Sequence, residues 1–358
     1  MDAGTLLGIT EELCAVPSVS GNEALLADLV EQRLRAEAPE LRVDRLGNNV
    51  VARTEHGHDK RVVLGGHLDT VPSNGNAAPE REGDTLHGLG TADMKGGLAI
   101  LLALAAAAGH ATDHGSVRFD TTYVFYEAEE IADEFNGLRK LFAERPAWLA
   151  GDLALLLEPT AGWLEAGCQG TVHVRATFRG ERAHSARPWK GRNAIHRAAP
   201  VLEHLARQET AVMEVEGVPY RESVQVVRIE GGVANNVVPD VCSIVVNRRF
   251  APIYSTEEAI AQVEALLEGA DELEILNASN AAPPNLRDPL IAELVGTFDL
   301  GVRAKLGWTD VARFAAAGMP AANFGPGDPE LAHTADEEVT GEALDGCYAV
   351  LGRFLGLA

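Results

Sequence analysis

Five short segments of this sequence place histidine and carboxylate side chains where they can hold cations. His67-Leu68-Asp69 comes first. Imidazole is a good donor to borderline metals, and a carboxylate two residues on can hold the other ring nitrogen and fix the tautomer. Asp93 lies among glycines, between Gly88 and Gly97. Glycine allows close approach of the backbone to a ligand, and one carboxylate can span two cations about 3.5–4 Å apart. Glu127-Ala128-Glu129-Glu130 offers adjacent acids, one able to bind metal while its neighbour moves protons. Glu158 follows Leu155-Leu156-Leu157, and His333 follows the rigid run Gly325-Pro326-Gly327-Asp328-Pro329. Two histidines and three carboxylates suit a pair of Zn²⁺-like ions, and hydrolysis by metal-activated water is the chemistry such a pair performs.

Read singly, each segment has a plainer alternative. His67 and Asp69 fit an incidental surface loop, the glycines an ordinary turn, the paired acids a solvated acidic loop, and His333 a lone loop histidine. The argument rests on the set and on the elements that must position it. Val62-Val63-Leu64 reads as a buried strand running into His67, Thr121–Tyr126 as a β-branched and aromatic strand ending at the acids, and Leu153–Leu157 as a strand ending at Glu158. Leu25–Leu34 and Leu98–Ala108 read as helices. Ligand sites in open α/β sheets lie at the carboxyl ends of strands, so the expected fold is an α/β domain with a mainly parallel sheet. The pattern GxGxxG would need glycine at 93, where aspartate stands, and no GxSxG or phosphate-loop motif offers a rival mechanism.

The pattern changes after about residue 168. Alternating Val172, Val174, Ala176 and Phe178 predict a strand, Asn193–Ala206 a helix, 223–229 and 241–250 strands, Thr256–Leu267 a helix and 273–277 a strand. That order is β-α-β-β-α-β, the split βαβ or ferredoxin-like arrangement. The predicted organisation is a catalytic domain over 1–168 and 283–358, interrupted by an inserted domain over 169–282.

The 358 residues carry 30 Lys and Arg against 53 Asp and Glu, a formal charge of -23. Such acidity argues against nucleic acid and anionic membrane as partners. The N-terminal stretch has no basic segment before an apolar one. The longest apolar run, Leu98–Gly109, falls short of the roughly 20 residues of a membrane span. Four scattered cysteines without CxxC fit reduced thiols. A small-molecule substrate and a cytoplasmic location are the expectations.

Several stretches together resemble the co-catalytic zinc aminoacylase/carboxypeptidase superfamily: GGHLDTVP (65–72), GLGTADMKGG (88–97), EAEE (127–130), LLEPT (156–160), GERAHSARPWKGRNAI (180–195), GGVANNVVPD (231–240), GWTDVARF (307–314) and NFGPGDPELAHTADE (323–337). Within it, the chain is most similar to the branch that desuccinylates succinyl-diaminopimelate. The resemblance implies two Zn²⁺, with Co²⁺ or Mn²⁺ as substitutes. It assigns His67 and Glu158 to one ion, Glu130 and His333 to the other, and Asp93 to both. Asp69 would orient His67, Glu129 would be the general base, and Asp93-Met94 would be a cis peptide. His184 would stabilise the oxyanion from the partner subunit of a homodimer joined through the inserted lid domain. Arg187, Asn235, Asn236, Arg249 and Thr309 would contact an N-acyl amino-acid substrate. In some desuccinylases Arg-Arg stands where Cys168-Gln169 precede Gly170 here, so N-acetylornithine deacetylation, other N-acyl amino-acid or dipeptide hydrolysis, and a non-catalytic binding relative are the alternatives.

Overall fold

The computed structural model describes residues 5–111 and 117–357. Residues 1–4 of the N-terminal stretch lie outside the described residues. The chain forms two compact units, one from Met1–Ala166, Asn285–Arg303 and Arg313–Ala358, the other from Gly167–Pro284 and Ala304–Ala312. The expected boundaries at 168/169 and 282/283 thus move by two residues each, and Ala304–Ala312 joins the inserted unit. Hydrogen bonds account for that return: Gln169 N donates to Lys305 O, the Cys168 thiol to Thr309 O, and Trp308 Nε1 to Asn280 O.

In the first unit the principal sheet has the order Arg42–Leu46, Asn49–Arg53, Asp120–Tyr126, Arg61–His67, Leu153–Leu156, Ala321–Asn323, Leu164–Ala166, Val302–Ala304. Its centre is parallel, from Asp120–Tyr126 through Ala321–Asn323. The flanks are antiparallel. The sheet is therefore mixed, a correction to the mainly parallel expectation. One reason is local: Arg42–Leu46 and Asn49–Arg53 form a hairpin closed at Gly47, which adopts φ +66°, and the two strands of a hairpin are necessarily antiparallel to each other.

The central strands are buried on both faces, as a covered parallel core requires. Gly96–His110, rich in alanine and leucine, packs into the same core through Leu98, Leu101, Leu104 and Ala105. A Cβ on Gly66 would lie 2.6 Å from Met94 Cε and 2.8 Å from Leu98 Cδ2, so glycine before His67 lets this helix sit on the strand end. Together with the turn before it, Thr91–His110 spans 20 residues, longer than the sequence pattern suggests, and its most apolar window has mean hydropathy 1.4. Its most apolar window is 72% buried inside the fold, which accounts for its composition. A small sheet of Glu338–Thr340, Thr85–His87 and Glu80–Glu82 joins the segment after His333 to the segment before Asp93.

Asp120 opens the strand that ends at the paired acids. It is 4% exposed and accepts hydrogen bonds from Thr54 Oγ1 and the His56, Gly57 and His58 amides at 2.8–3.1 Å. Burial opposes its charge, but these donors and Arg61 outweigh it and hold the carboxyl below its ordinary value of 3.8. A depressed folded pKa contributes stability that is present above the unfolded value and lost as pH falls through the folded one. Asp120→Asn is expected to cost about 1–3 kcal/mol at neutral pH by leaving buried donors poorly paired. Denaturant melts should show the gap between variant and wild type closing as pH drops below 3.8.

The second unit has a four-stranded antiparallel sheet in the order Ser223–Gly231, Val241–Phe250, Gly170–Arg179, Glu272–Ser279. Helices Ala194–Ala206 and Thr256–Leu266 cover one face, burying Val172, Val174, Phe178, Ile244 and Val246 against Ala198, Val201 and Val263. Side-chain caps start both helices: Asn193 accepts from Ile195 N and His196 N, and Ser255 forms a capping box with Glu258. A hairpin of Val212–Val215 and Val218–Arg221 is an addition that the sequence pattern did not suggest.

Candidate metal centre

The parallel strands deliver the first ligands as their alternation requires. His67 ends its strand, 1% exposed. The strand Asp120–Tyr126 runs directly into Glu127, and the backbone then turns at Ala128, φ +59°, a conformation uncommon for a residue with a Cβ. That turn parts the neighbouring acids. Glu127 pairs with Asn49 through Glu127 N to Oδ1 at 3.0 Å and Nδ2 to Oε1 at 2.9 Å. Glu129 and Glu130 instead join His67 in a donor group whose ligand atoms lie within 4.8 Å of one another.

Asp93 interrupts a π-type turn, Thr91–Lys95, that precedes the long helix. The Asp93-Met94 peptide is cis. Asp93 Oδ1 lies 3.0 Å from His67 Nε2, and Oδ2 lies 3.4 Å from His333 Nε2. Glu130 Oε1 is 2.8 Å from the same His333 nitrogen. His67, Asp93 and Glu158 form one donor group, and Asp93, Glu130 and His333 another, each within 4.8 Å. Asp93 belongs to both, with one oxygen toward each imidazole. Close packing of loops makes this possible: a Cβ on Gly327 would lie 2.6 Å from the Ala92 carbonyl oxygen, so only glycine lets the Gly325–Pro329 run lie against the Asp93 turn.

Asp69 is buried with 0% exposure. Its expected contact with His67 takes a different form. His67 Nδ1 lies 2.9 Å from the Asp69 main-chain oxygen but 3.6 Å from its carboxylate, beyond hydrogen-bond range. The carboxylate oxygens are already engaged by Ser20 Oγ at 2.7 Å and by the amides of Glu129 at 2.9 Å and Glu130 at 3.0 Å. Asp69 therefore orients the imidazole through its backbone and holds the acid turn through its side chain. Burial opposes its charge, but His67, Ser20 and the Glu129 amide hold its carboxyl at about 2.

The field at this cluster favours positive charge. Asp93 and Glu130 raise His333 to about 10. At His67 burial works against protonation, yet Asp69, Asp93 and Glu158 still raise it well above 6.5. Burial likewise opposes charge on Asp93, and both imidazoles nonetheless drive it down.

The inserted unit carries the other candidates. Ala183–His184 pairs with Val237–Val238, and Ser185 N donates to Asn236 O at 2.9 Å. Arg187 N donates to His184 O at 2.8 Å. His184, Arg187, Asn235 and Asn236 are thereby gathered in one exposed patch. Arg249 stands on the sheet face opposite the helices, opposite Thr171 and Ser223. Thr309 is 4% exposed in the returning segment, beside Cys168. The four cysteines are free and buried, and burial raises the Cys168 thiol to about 11.

The model of peptidase family M20/M25/M40 matches residues 63–356. The chain belongs to this family. A protein of Mycobacterium tuberculosis, provisionally named a succinyl-diaminopimelate desuccinylase, is 47% identical over 354 residues, covering 99% of this chain and 98% of its own. The succinyl-diaminopimelate desuccinylase of Corynebacterium glutamicum is 43% identical over 358 residues, covering 98% and 96%. Among solved structures, a tripeptidase from Staphylococcus aureus superposes with TM-score 0.80 at 19% identity, covering 99% of this chain and 98% of its own. A Bacillus subtilis protein described as a dinuclear metal-binding peptidase of the M20 family superposes at 0.72 and 15%, covering 98% and 96%.

The donor set of this M20/M25/M40 member fits two zinc-class ions. It offers imidazole nitrogen and carboxylate oxygen, a carboxylate shared by two donor groups, and surrounding charge that favours cations. Two contributors escape a reading of the sequence. Ser20 holds Asp69 from 49 residues away, with no pattern to mark it. Glu337 holds the Asp93 turn, and its only sequence signal is its place four residues after His333.

Proposed function

We propose that the chain hydrolyses the amide of N-succinyl-LL-2,6-diaminopimelate to succinate and LL-diaminopimelate, using two Zn²⁺ that Co²⁺ or Mn²⁺ can replace. The observation that carries the reading is Asp93, shared by two donor groups, with Glu129 beside them on a turn held by Asp69. The names of relatives 47% and 43% identical over nearly whole chains support the substrate.

His67 and Glu158 would hold one ion, Glu130 and His333 the other, and Asp93 both. When bound, the ions supply Lewis acidity and bring the pKa of water toward 7. Glu129 takes the proton of the attacking water and returns it to the departing nitrogen. The Ala186 amide donates to His184 Nδ1 at 3.0 Å. A neutral His184 therefore carries its proton on Nε2, the donor an oxyanion requires. The inserted β-α-β-β-α-β unit acts as lid and dimerisation domain, so that the partner subunit's His184 serves each site of a cytoplasmic homodimer.

Recognition of the acyl carboxylate falls to arginine. Cys168 and Gln169 cannot supply a cation, and the Gln169 amide donates to Arg221 O at 2.6 Å. Arg175 and Arg248 have acidic partners, Glu274 and Glu222. Arg249 is half-buried without an ion pair or side-chain hydrogen bond among the described residues, and burial lowers its pKa. An unpaired guanidinium is suited to bidentate binding of a carboxylate. Asn235, Asn236 and Arg187 would hold the amino-acid part, with Thr309 contributing from its buried position.

A panel of succinyl-diaminopimelate, N-acetylornithine, N-acetyl amino acids and dipeptides, assayed with zinc-loaded protein, tests the reading. The succinyl substrate is expected to have the highest kcat/KM. Arg249→Met is expected to raise KM for that substrate about 10–100-fold, the worth of a charged hydrogen bond, and to alter KM for acetyl substrates far less. Highest kcat/KM on an acetyl substrate or a dipeptide would replace the desuccinylase assignment with that reaction, and no turnover with two metals bound would leave a binding protein.

A further inference from the structure

Two buried carboxylates in the first unit perform the same act on different loops. The Asp69 carboxylate accepts the amides of Glu129 and Glu130. Glu337, 1% exposed, turns Oε1 toward two successive amides, Ala92 N and Asp93 N, each at 3.0 Å. These amides belong to the turn that delivers the shared carboxylate.

Glu337 also belongs to the loop that carries His333. Its own carbonyl accepts Gly88 N at 2.9 Å, Asn76 Nδ2 donates to Thr334 O at 3.0 Å, and Glu338 pairs with His87 in the small sheet. His333 adopts φ +64°, a backbone state that an L side chain holds only where its surroundings impose it. The segment before Asp93 and the segment after His333 are thus fastened to each other, and Glu337, which accepts the Asp93 amide itself, is the side-chain fastening nearest the ligands.

We propose that Glu337 is a positioning residue for the metal pair, acting through the Ala92 and Asp93 amides to fix Asp93 between its two donor groups and in register with His333. This rests on the two-metal reading of the site. What the role requires is a long side chain with an oxygen acceptor at its end. Glutamine keeps both features. Aspartate keeps the charge but is one methylene short, and alanine keeps neither.

The test is Zn²⁺ affinity, measured by competition with a chelator, for wild type, Glu337→Gln, Glu337→Asp and Glu337→Ala, together with the melting temperature of each with and without Zn²⁺. Glu337→Asp and Glu337→Ala are expected to weaken zinc binding about 10–100-fold, as loss of outer partners of metal ligands does. Glu337→Gln is expected to stay near wild type. The zinc-induced gain in melting temperature should shrink in the first two variants and persist in the third, because ligand stabilisation follows affinity. A purely structural role would lower the melting temperatures with and without zinc alike. Should Glu337→Ala fail to fold, the comparison of glutamine with aspartate decides. The proposal is overturned if all folded variants bind zinc like wild type, or if glutamine is as impaired as aspartate. Wild-type protein that does not bind two ions would instead overturn the two-metal reading, and this proposal with it.

Discussion

Glu129→Gln is expected to retain two bound metal ions and to lose about 10²–10⁴-fold in kcat, the usual worth of a general acid–base group. The separation of roles follows from the turn at Ala128. The Glu129 amide is tied to Asp69 and the Glu130 amide to the other oxygen of the same carboxylate. Changing the Glu129 side chain leaves this tether intact and leaves Glu130 beside His333. Glutamine is close in shape but cannot take a proton from water at neutral pH. Metal analysis and steady-state kinetics on one preparation check the prediction. Near-normal turnover with both ions in place would remove Glu129 from proton transfer. Loss of a metal ion would make Glu129 a ligand, a role that its place in the donor group with His67 and Glu130 also permits.

Asp93→Ala should have the largest effect on metal binding, because its carboxylate is shared. His333→Ala removes one donor from one group, and about one ion should remain bound. Asp93→Ala removes a donor from both groups at once. Both ions should be lost at metal concentrations that saturate wild type, and activity should fall to background. Metal-to-protein ratios after gel filtration distinguish the variants. Equal ratios for Asp93→Ala and His333→Ala would show that Asp93 serves only one ion.

Much of this site was legible from one-dimensional pattern because strands place their last residues predictably. A buried apolar run that ends at His67, at the acids after Tyr126 or at Glu158 leaves little freedom in where the next side chain lies. The long helix, the four-stranded sheet of the inserted unit and its two helices were legible for the same reason, since period and apolar content agree. Short, polar pairings were not. The small sheet of Glu80–Glu82, Thr85–His87 and Glu338–Thr340 has little apolar alternation and joins segments some 250 residues apart, so no local window reveals it. The mixed sheet was misread because its antiparallel flanks come from a hairpin and short returning strands, which carry weaker patterns than the buried centre.

The candidates proposed to bind metal and move protons could thus be named from the sequence alone: residue types, the strand ends at His67, the paired acids and Glu158, and the motifs around Asp93 and His333 singled out His67, Asp93, Glu129, Glu130, Glu158 and His333. Only the tertiary structure decided how those groups are divided and held. It gave Asp93 an oxygen toward each histidine, sent Glu127 to Asn49, and turned the Asp69 carboxylate from the imidazole to the acid turn. It also brought Glu337 to the amides of Ala92 and Asp93. The physical reason is the same in each case. Side-chain type and strand period are local properties, whereas a hydrogen bond between a buried carboxylate and amides that are distant in sequence exists only once packing has brought them together and excluded the water that would otherwise satisfy them.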